Sequence, residues 1–290
     1  MRGNARTGAV EPMQSAVEAA PAPLCRVAIA GLGAIGLKLA RTLAAGALPG
    51  FTLAAVSARD EAAARQRLRE VGSEAPVVPI EELEPLADLA VECAPAALLP
   101  SIADPFLRNG KTVVVLSVGA LLRNEGLIET ARASGGRIVV PSGALLGLDA
   151  VAAAAEGQIR SVRMITRKPV RGLLGAPYLI ENGIDIAGLT APRRVFEGTA
   201  REAAAGFPAN LNVAVALSLA GIGPDRTRLE IWADPALERN VHRIEVDADS
   251  AAFSMQIENV PSENPKTGRI TALSVLACLR KMAAPLQVGT

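Results

Sequence analysis

The segment Arg26-Val27-Ala28-Ile29-Ala30-Gly31-Leu32-Gly33-Ala34-Ile35-Gly36 decides the fold of this 290-residue chain. Its apolar first part is typical of a buried strand, and its glycines follow in the spacing G-x-G-x-x-G. Residues 37–43 then place their apolar side chains on one side of a helix. The motif therefore has the preceding strand and the following helix that a dinucleotide-binding turn requires, and without these flanks the same spacing would carry little weight.

Each glycine has a separate role in such a turn. Gly31 allows the tight bend, Gly33 lets backbone N–H groups approach a pyrophosphate, and Gly36 lets the helix pack closely against the strand. The helix N-terminus offers unpaired N–H groups and a partial positive charge to the phosphates, so Ala34 and Ile35 join the glycines as candidate cofactor contacts. The alternative is an ordinary turn between a strand and a helix that binds no ligand.

The composition describes an aliphatic and nearly neutral protein. Hydrophobic residues make up 50% of the chain and aromatic residues only 2%, so aliphatic side chains must fill the core of one large or two medium domains. The formal net charge is +1, and charges of both signs are interspersed. A nucleic-acid partner is not expected, because the chain offers neither a basic face nor a set of aromatic residues on which bases could stack.

The cysteines and the start of the chain bear on the compartment. Cys25, Cys93 and Cys278 are odd in number, lie far apart and form no C-x-x-C pair. This usage suits reduced thiols in the cytoplasm, and with one histidine in the chain it predicts no metal site. Residues 1–24 are interpreted as a disordered leader, since acidic and amide side chains interrupt the apolar run that a secretory signal needs. No uncharged run reaches the roughly 18 residues of a membrane-spanning helix, so no membrane contact is expected.

Strands and helices alternate from residue 25 to residue 143. Almost unbroken apolar runs predict further strands at 51–56, 89–95, 112–117 and 137–140, with helices between them, and residues 76–79 are predicted to form a short edge strand. The alternation indicates an α/β fold, a Rossmann-type doubly wound parallel sheet covered on both faces, whose ligands bind at the carboxyl ends of the strands. The segment 25–143 is thus predicted to be a dinucleotide-binding domain.

The end of the second predicted strand bears on which dinucleotide is bound. About 20 residues after the glycine turn, folds that prefer NAD commonly carry an Asp or Glu for the 2′-hydroxyl of the ribose. Ala58 takes that place here, with Ser57 and Arg59 beside it, so a 2′-phosphate would meet a hydroxyl and a cation instead of a repelling carboxylate. NADP is therefore expected to be accepted at least as well as NAD. The alternative is that Asp60 caps the next helix and Arg59 is solvated.

The pattern changes beyond Ala150. Half-exposed strands are predicted at 158–167, 194–196, 228–232, 243–246 and 254–258, and helices at 210–221 and 269–283. We interpret 144–267 as a second α+β domain on a mixed or antiparallel sheet, which binds the substrate and has one face available for a helix layer or a partner subunit. The final helix, within 268–290, is expected to pack back on the first domain. Residues 171–190 are glycine-rich and without period, so they are predicted to form a loop that could serve as a lid.

His242 is the only histidine of the chain and the first candidate for acid–base chemistry. A lone histidine is more often a surface or core residue than a catalyst. A dehydrogenation at an amino or hydroxy carbon, however, needs a group that exchanges a proton near neutral pH, and no other side chain here titrates in that range without perturbation. Given the predicted cofactor site, His242 is predicted to be catalytic.

Cations and amides provide the remaining candidates. Lys168 and the stretch Asn264-Pro265-Lys266-Thr267 could hold substrate carboxylates, although solvated lysines and a helix cap explain these residues equally well. Asn210 and Asn212 stand where a helix is predicted to begin, so either could cap it or bond the carboxamide of a nicotinamide. Ser142 is not part of a G-x-S-x-G motif, which argues against a serine hydrolase.

Several stretches together resemble the L-aspartate dehydrogenase family, over nearly the whole chain from residue 27 to the final helix. Occurring in the right order, they are more specific than the glycine motif. They are Pro141-Ser142-Gly143-Ala144 with Gly147-Leu148-Asp149, Phe196-Glu197-Gly198, Phe207-Pro208-Ala209-Asn210-Leu211-Asn212-Val213, Ala233-Asp234-Pro235 through Asn240-Val241-His242, and Ile257-Glu258-Asn259-Val260-Pro261 with Glu263-Asn264-Pro265-Lys266-Thr267.

The resemblance implies a homodimeric enzyme that oxidises L-aspartate to iminoaspartate with NAD or NADP, and that feeds pyridine nucleotide biosynthesis or releases oxaloacetate and ammonia. It also implies that the family's active-site histidine corresponds to His242, and its cofactor-contacting alanine and asparagine to Ala144 and Asn212. Two alternatives stay open: another NAD(P)-dependent reductase of an amino or imino acid on the same fold, and a non-catalytic protein that only binds the dinucleotide.

Overall fold

The structure is a computed structural model that describes residues 24–208, 211–262 and 268–289. The predicted leader lies outside these ranges except for its last residue. Two five-stranded sheets organise the described chain, and each has its own helices.

The first sheet is parallel throughout, with the strand order β2-β1-β3-β4-β5. Its strands are β1 (Cys25–Ala30), β2 (Phe51–Ser57), β3 (Leu89–Glu92), β4 (Thr112–Val115) and β5 (Arg137–Val139). The apolar runs that predict these strands are buried, as in β3, where all four residues are inaccessible. The predicted Rossmann-type sheet is confirmed.

The predicted edge strand at 76–79 is wrong. The segment contributes only a single parallel bridge, between Val56 and Val77. Pro76 lacks the N–H group that would extend the ladder at one end, and Pro79 immediately precedes the 3₁₀ helix Ile80–Glu82 at the other, so the pairing stops after one residue.

In the described residues, six α-helices lie between the strands of the first sheet along the chain. They are α1 (Ala34–Ala44), α2 (Glu61–Glu70), α3 (Leu83–Leu86), α4 (Leu99–Arg108), α5 (Val118–Leu121) and α6 (Gly126–Ser134). Helix α1 begins inside the glycine turn, as the motif predicts, and buries Leu39, Ala40 and Leu43 against the sheet.

The second sheet has the order β10-β9-β6-β8-β7, in which β6 and β8 are parallel and the other pairs are antiparallel. Its strands are β6 (Ile159–Lys168), β7 (Arg193–Thr199), β8 (Arg228–Ala233), β9 (Asn240–Ala248) and β10 (Ala252–Asn259). This confirms the prediction of a mixed sheet. Alternate residues of β6, such as Val162 and Met164, are buried, which makes one face of the sheet the core of the second half.

Helices α7 (Leu148–Ala155), α8 (Pro177–Glu181), α9 (Ala200–Gly206) and α10 (Asn212–Ala220) belong to the second half. The prediction of a loop over 171–190 is wrong where α8 forms, and Leu173, Leu179 and Ile186 are buried in the core. These contacts tie the segment to the sheet. The alanine-rich helices α7 and α9 were not predicted, because a run of small apolar residues has no clear period.

The last helix, α11 (Arg269–Ala283), packs against the first sheet's layer. Its residues Val275 and Leu279 are fully buried in one cluster with Leu39 and Leu43 of α1. No helix in the described residues combines the length and the apolar character that crossing a bilayer would require.

Candidate active site

The glycine turn between β1 and α1 is shaped by close packing at two of its three glycines. Gly31 has φ +103°, and a Cβ atom on it would lie 2.6 Å from the carbonyl oxygen of Cys93. A Cβ atom on Gly36 would collide with the carbonyl oxygen of Gly31. At Gly33, by contrast, nothing lies within 4 Å of an added Cβ atom. Gly31 and Gly36 therefore serve the packing of the turn, while Gly33 faces open space that a phosphate could enter.

The N-terminus of α1 keeps its hydrogen-bonding capacity. The N–H of Gly31 donates to the carbonyl of Ser57 at 2.7 Å, so that amide is occupied. No side chain caps α1, however, and its first backbone bond runs from the N–H of Leu37 to the carbonyl of Gly33. The amides at Ala34 and Ile35 thus lie at an uncapped helix start, where the helix dipole favours an anion.

A cavity of about 420 Å³ lies at the carboxyl ends of the first sheet's strands. Residues from the second half of the chain, after residue 144, form its other wall. Four of the predicted site residues line it: Ile35, Ala144, Asn212 and His242. The other four, Gly31, Gly33, Ala34 and Gly36, lie in the adjoining turn and not in its wall. The fold thus brings together residues that are more than 200 positions apart in the chain.

Asn212 joins the two halves at this cavity. It is the first residue of α10, and its Oδ1 accepts a hydrogen bond of 3.0 Å from the N–H of Gly119 in α5. The idea that Asn212 caps the helix is wrong, because Leu211 is the capping residue and no side chain caps α10. Asn210, the other asparagine considered, lies outside the described residues.

His242 lies on β9 with its side chain toward the core and is only 2% exposed. Thr166 of β6 pairs with it in the sheet register, and the threonine Oγ1 lies 3.2 Å from the histidine Nδ1. Burial, followed by the positive charge of Lys168, lowers the pKa of His242 to about 3. The imidazole is therefore neutral at physiological pH when no ligand is present, and a neutral imidazole can accept a proton.

Lys168 contributes a cation to the wall of the cavity. It ends β6, two residues after Thr166 on the same face, and is 3% exposed. Burial lowers the pKa of Lys168 to about 8, because the charged ammonium loses its hydration. It remains mostly charged at neutral pH and lies in the wall that an anionic ligand would contact. The other cationic stretch that was considered, 264–267, lies outside the described residues.

After the end of β2, Asp60 caps helix α2 and Arg59 is exposed. The Asp60 carboxylate accepts a hydrogen bond of 2.9 Å from the N–H of Ala63 and caps α2. A second cation near the turn was missed from the sequence: the guanidinium of Arg67 donates to the carbonyl of Leu32 at 3.1 Å. Nothing in the spacing of α2 distinguishes Arg67 from its neighbours, because only the packing of α2 beside the turn selects it.

Glu92 is a further residue that the sequence reasoning missed. It ends β3, is fully buried, and accepts hydrogen bonds from the N–H groups of Leu116 and Ser117 and from the Ser117 hydroxyl, at 2.8 to 3.1 Å. Burial raises the pKa of Glu92 although these donors oppose the shift. The carboxylate joins the ends of β3 and β4 below the cavity. The sequence signal that could have identified Glu92 is its position inside an apolar run, because a buried charged residue needs hydrogen-bond partners.

No metal site accompanies the cavity in the described ranges, where no three side chains of His, Cys, Asp or Glu come close enough together to hold an ion. The three cysteines are free thiols. Burial raises the pKa of Cys93, so its thiol stays protonated and is not a nucleophile.

Comparison with known proteins agrees with the geometry in both halves. Residues 31–141 match the family model described as homoserine dehydrogenase, NAD binding domain, and residues 149–282 match the model described as aspartate dehydrogenase, C-terminal. The solved crystal structure of aspartate dehydrogenase from Thermotoga maritima is similar with a TM-score of 0.69 and 26% sequence identity, over 91% of this chain and 99% of that chain.

Two relatives are more similar in sequence. The chain is 62% identical to an L-aspartate dehydrogenase from Bradyrhizobium diazoefficiens, over 91% of this chain and 94% of the relative. It is 60% identical to L-aspartate dehydrogenase 3 from Bordetella bronchiseptica, over 91% of this chain and 97% of the relative. Identity at this level over almost the full length of both partners confirms the resemblance seen in the sequence, and the chain belongs to the L-aspartate dehydrogenase family.

Proposed function

We propose that the protein oxidises L-aspartate to iminoaspartate with NAD or NADP, and that the imine is then used for pyridine nucleotide synthesis or hydrolysed to oxaloacetate and ammonia. The observation that carries the proposal is the position of His242. The chain's single histidine lies in the wall of a cavity at the carboxyl edge of a Rossmann-type sheet, beside a buried lysine. This edge is where such sheets bind their cofactors.

The residues present fit a dinucleotide. Gly33 faces open space, the start of α1 is uncapped, and small residues such as Ala94, Ser117 and Ala144 line the strand ends. We assign the pyrophosphate to the turn Gly31–Gly36, where Gly31 and Gly36 shape the bend and the backbone at Gly33, Ala34 and Ile35 faces the ligand. We assign the nicotinamide end to the region of Ala144 and Asn212. When bound, NAD(P)⁺ accepts a hydride from the α-carbon of aspartate.

Lys168 and His242 handle the substrate. The Lys168 ammonium binds a carboxylate of aspartate, which a dicarboxylic acid needs in a buried pocket. The negative charge of the bound carboxylate offsets the positive charge of Lys168, which is one of the two causes of the low His242 pKa. Binding of the anion therefore raises the pKa of the imidazole. His242 then accepts the proton from the substrate amine, or from the water that attacks the imine. The charge of the substrate thus makes His242 a stronger base.

The reaction is tested by mixing the protein with NAD⁺ or NADP⁺ and a panel of amino acids and following the absorbance of the reduced nicotinamide. We expect reduction with L-aspartate and none at comparable rate with the other amino acids. Reduction with a different amino acid would indicate another dehydrogenase on this fold. Binding of the cofactor without any reduction would indicate a non-catalytic dinucleotide-binding protein.

The cofactor choice gives a separate prediction. Ala58 replaces the usual acidic residue, and Arg59 and Arg67 are cations near the turn. We expect the KM for NADP⁺ to be no higher than that for NAD⁺. Replacing exposed Arg59 by alanine is expected to raise the KM for NADP⁺ about fivefold, in line with roughly 1 kcal/mol for an exposed ion pair, with little change for NAD⁺. Arg65→Ala, which removes a pair with Glu61 on α2, is the matched control. A strong preference of the unmodified enzyme for NAD⁺ would contradict the prediction.

We further propose a cytoplasmic homodimer that pairs through the outer face of the second sheet. That face carries connected ion pairs, among them Arg163 with Glu230 and Glu245, and the guanidinium of Arg167 lies 5.4 Å from the ring of Trp232. Its rows of paired charges could meet a second copy about a twofold axis. Light scattering after size exclusion tests this: a mass near twice that of the chain supports the dimer, and the mass of one chain refutes it.

A further inference from the structure

Asn259 holds the loop that follows β5 and lines the cavity. It is the last residue of β10, is 3% exposed, and donates from its Nδ2 to the carbonyl oxygen of Ala144 at 2.9 Å. A carbonyl oxygen can only accept, so this bond determines which end of the amide faces Ala144. Asn259 therefore links the edge of the second sheet to a residue in the wall of the cavity.

The other end of the same amide has no partner. Asn259 Oδ1 is buried from solvent, and within the described part of the chain it is the one buried side-chain oxygen or nitrogen without a hydrogen bond. An unpaired buried acceptor costs free energy, whereas an apolar side chain of the same shape would avoid that cost. Stability alone does not explain an asparagine here, and departures of this kind concentrate at functional sites.

A second side chain holds the neighbouring residue of the loop. The N–H of Gly143 donates to Ser274 Oγ of α11 at 3.1 Å, and the Ser274 hydroxyl donates in turn to the carbonyl of Thr271. Two consecutive residues, Gly143 and Ala144, are thus held by side chains from two elements of the second half of the sequence. The backbone of this wall is placed by tertiary contacts and not by its own turn alone.

We propose that Asn259 is a positioning residue, which holds the Ala144 backbone in the place required for cofactor binding at the expense of stability. The inference rests on the proposed function, because it takes the region of Ala144 as the nicotinamide end of the site. Asn259 does not touch the ligand itself, since its free oxygen is sealed from the cavity. Its effect passes through the Ala144 carbonyl, where a small displacement changes the fit of a bound ring.

The first test replaces the asparagine by an apolar side chain of similar shape. In Asn259→Leu we expect the Kd for NADH, measured by the change in NADH fluorescence, to rise about tenfold. The thermal midpoint should fall less than in the control, because this variant loses one hydrogen bond but also removes an unpaired buried acceptor. Thr227→Val is the matched control, because the Thr227 hydroxyl is also buried and donates to a backbone carbonyl, that of Gly223, away from the cavity. The control is expected to lower the thermal midpoint and leave the Kd unchanged.

The second variant, Asn259→Asp, tests the hydrogen bond itself. An ionised aspartate cannot donate to the Ala144 carbonyl, whereas a protonated one can. Burial at this site is expected to raise the pKa of the introduced carboxyl, so that it is protonated at pH 6 and ionised at pH 8. We therefore expect NADH binding of this variant to be weak at pH 8 and to recover at pH 6, with no such recovery in the unmodified protein. Three results would each overturn the proposal: an unchanged Kd in Asn259→Leu, a fall in its thermal midpoint larger than that of the control, or pH-independent binding in Asn259→Asp. If the unmodified protein does not bind NADH, the proposed cofactor site is wrong. If it binds NADH and only the variants behave otherwise than expected, the role of Asn259 alone is wrong.

Discussion

Replacing His242 by alanine is expected to lower kcat for L-aspartate oxidation by about 100- to 10,000-fold, the usual contribution of a general acid or base. The reason is that Lys168, the other titratable side chain among the described residues of the cavity wall, is mostly protonated at neutral pH and cannot replace a neutral base. Cofactor binding should survive, because the turn and the start of α1 are unaffected. The measurement is steady-state kcat together with the Kd for NADH.

A matched control keeps the imidazole and alters its surroundings. Thr166→Val removes the hydroxyl that lies 3.2 Å from His242 Nδ1. We expect a loss in kcat of up to about tenfold, the value of one ordinary hydrogen bond. If His242→Ala turned over as fast as the unmodified enzyme, His242 would have no part in the mechanism. If it lost NADH binding as well, its role would be structural.

The second large effect is expected at Lys168. In Lys168→Met we expect the KM for L-aspartate to rise about 10- to 100-fold, because a hydrogen bond to a charged group contributes about 1.5–3 kcal/mol. Lys281→Met makes the same change at a lysine outside the cavity and should leave the KM unchanged. Equal KM values in both variants would exclude Lys168 from carboxylate binding.

The pH dependence of inhibitor binding isolates the charge of Lys168. Succinate is a suitable probe, since it has both carboxylates of the substrate but no amine that titrates. Burial lowers the pKa of Lys168 to about 8, so the lysine is charged below this pH and neutral above it. The Ki of succinate should be constant below pH 8 and rise about tenfold per pH unit above it. The neighbouring His242 is neutral over this range, since its pKa is about 3. In Lys168→Met the Ki should be high and independent of pH.

Most elements of the fold follow from short-range patterns. The apolar strand before Gly31 and the amphipathic helix after Gly36 predict the first strand, turn and helix, and alternation predicts the strands of the second sheet. Each pattern involves residues within one element. The failures have the same origin: 76–79 is apolar but lacks donors at its prolines, and the small apolar residues of α7 and α9 show no period.

The site could be predicted only in part. A motif and a family resemblance select the glycine turn and the candidates Ala144, Asn212 and His242. They do not reveal that Lys168 lies beside His242, that Arg67 reaches the glycine turn, or that Asn259 holds Ala144. Each of these contacts joins residues on different elements. Such pairs depend on sheet register and helix packing, which no single segment encodes.

By itself the sequence determined the class of fold, the family and the type of cofactor, because these depend on local patterns and ordered motifs. Only the tertiary structure decided which side chains of the site are charged. Burial makes His242 neutral and lowers the pKa of Lys168, and both shifts arise from the loss of water around a charge. Hydration is lost because Lys168 and His242 are buried on the inner face of the second sheet, so it is a property of the assembled fold and not of any residue's place in the sequence.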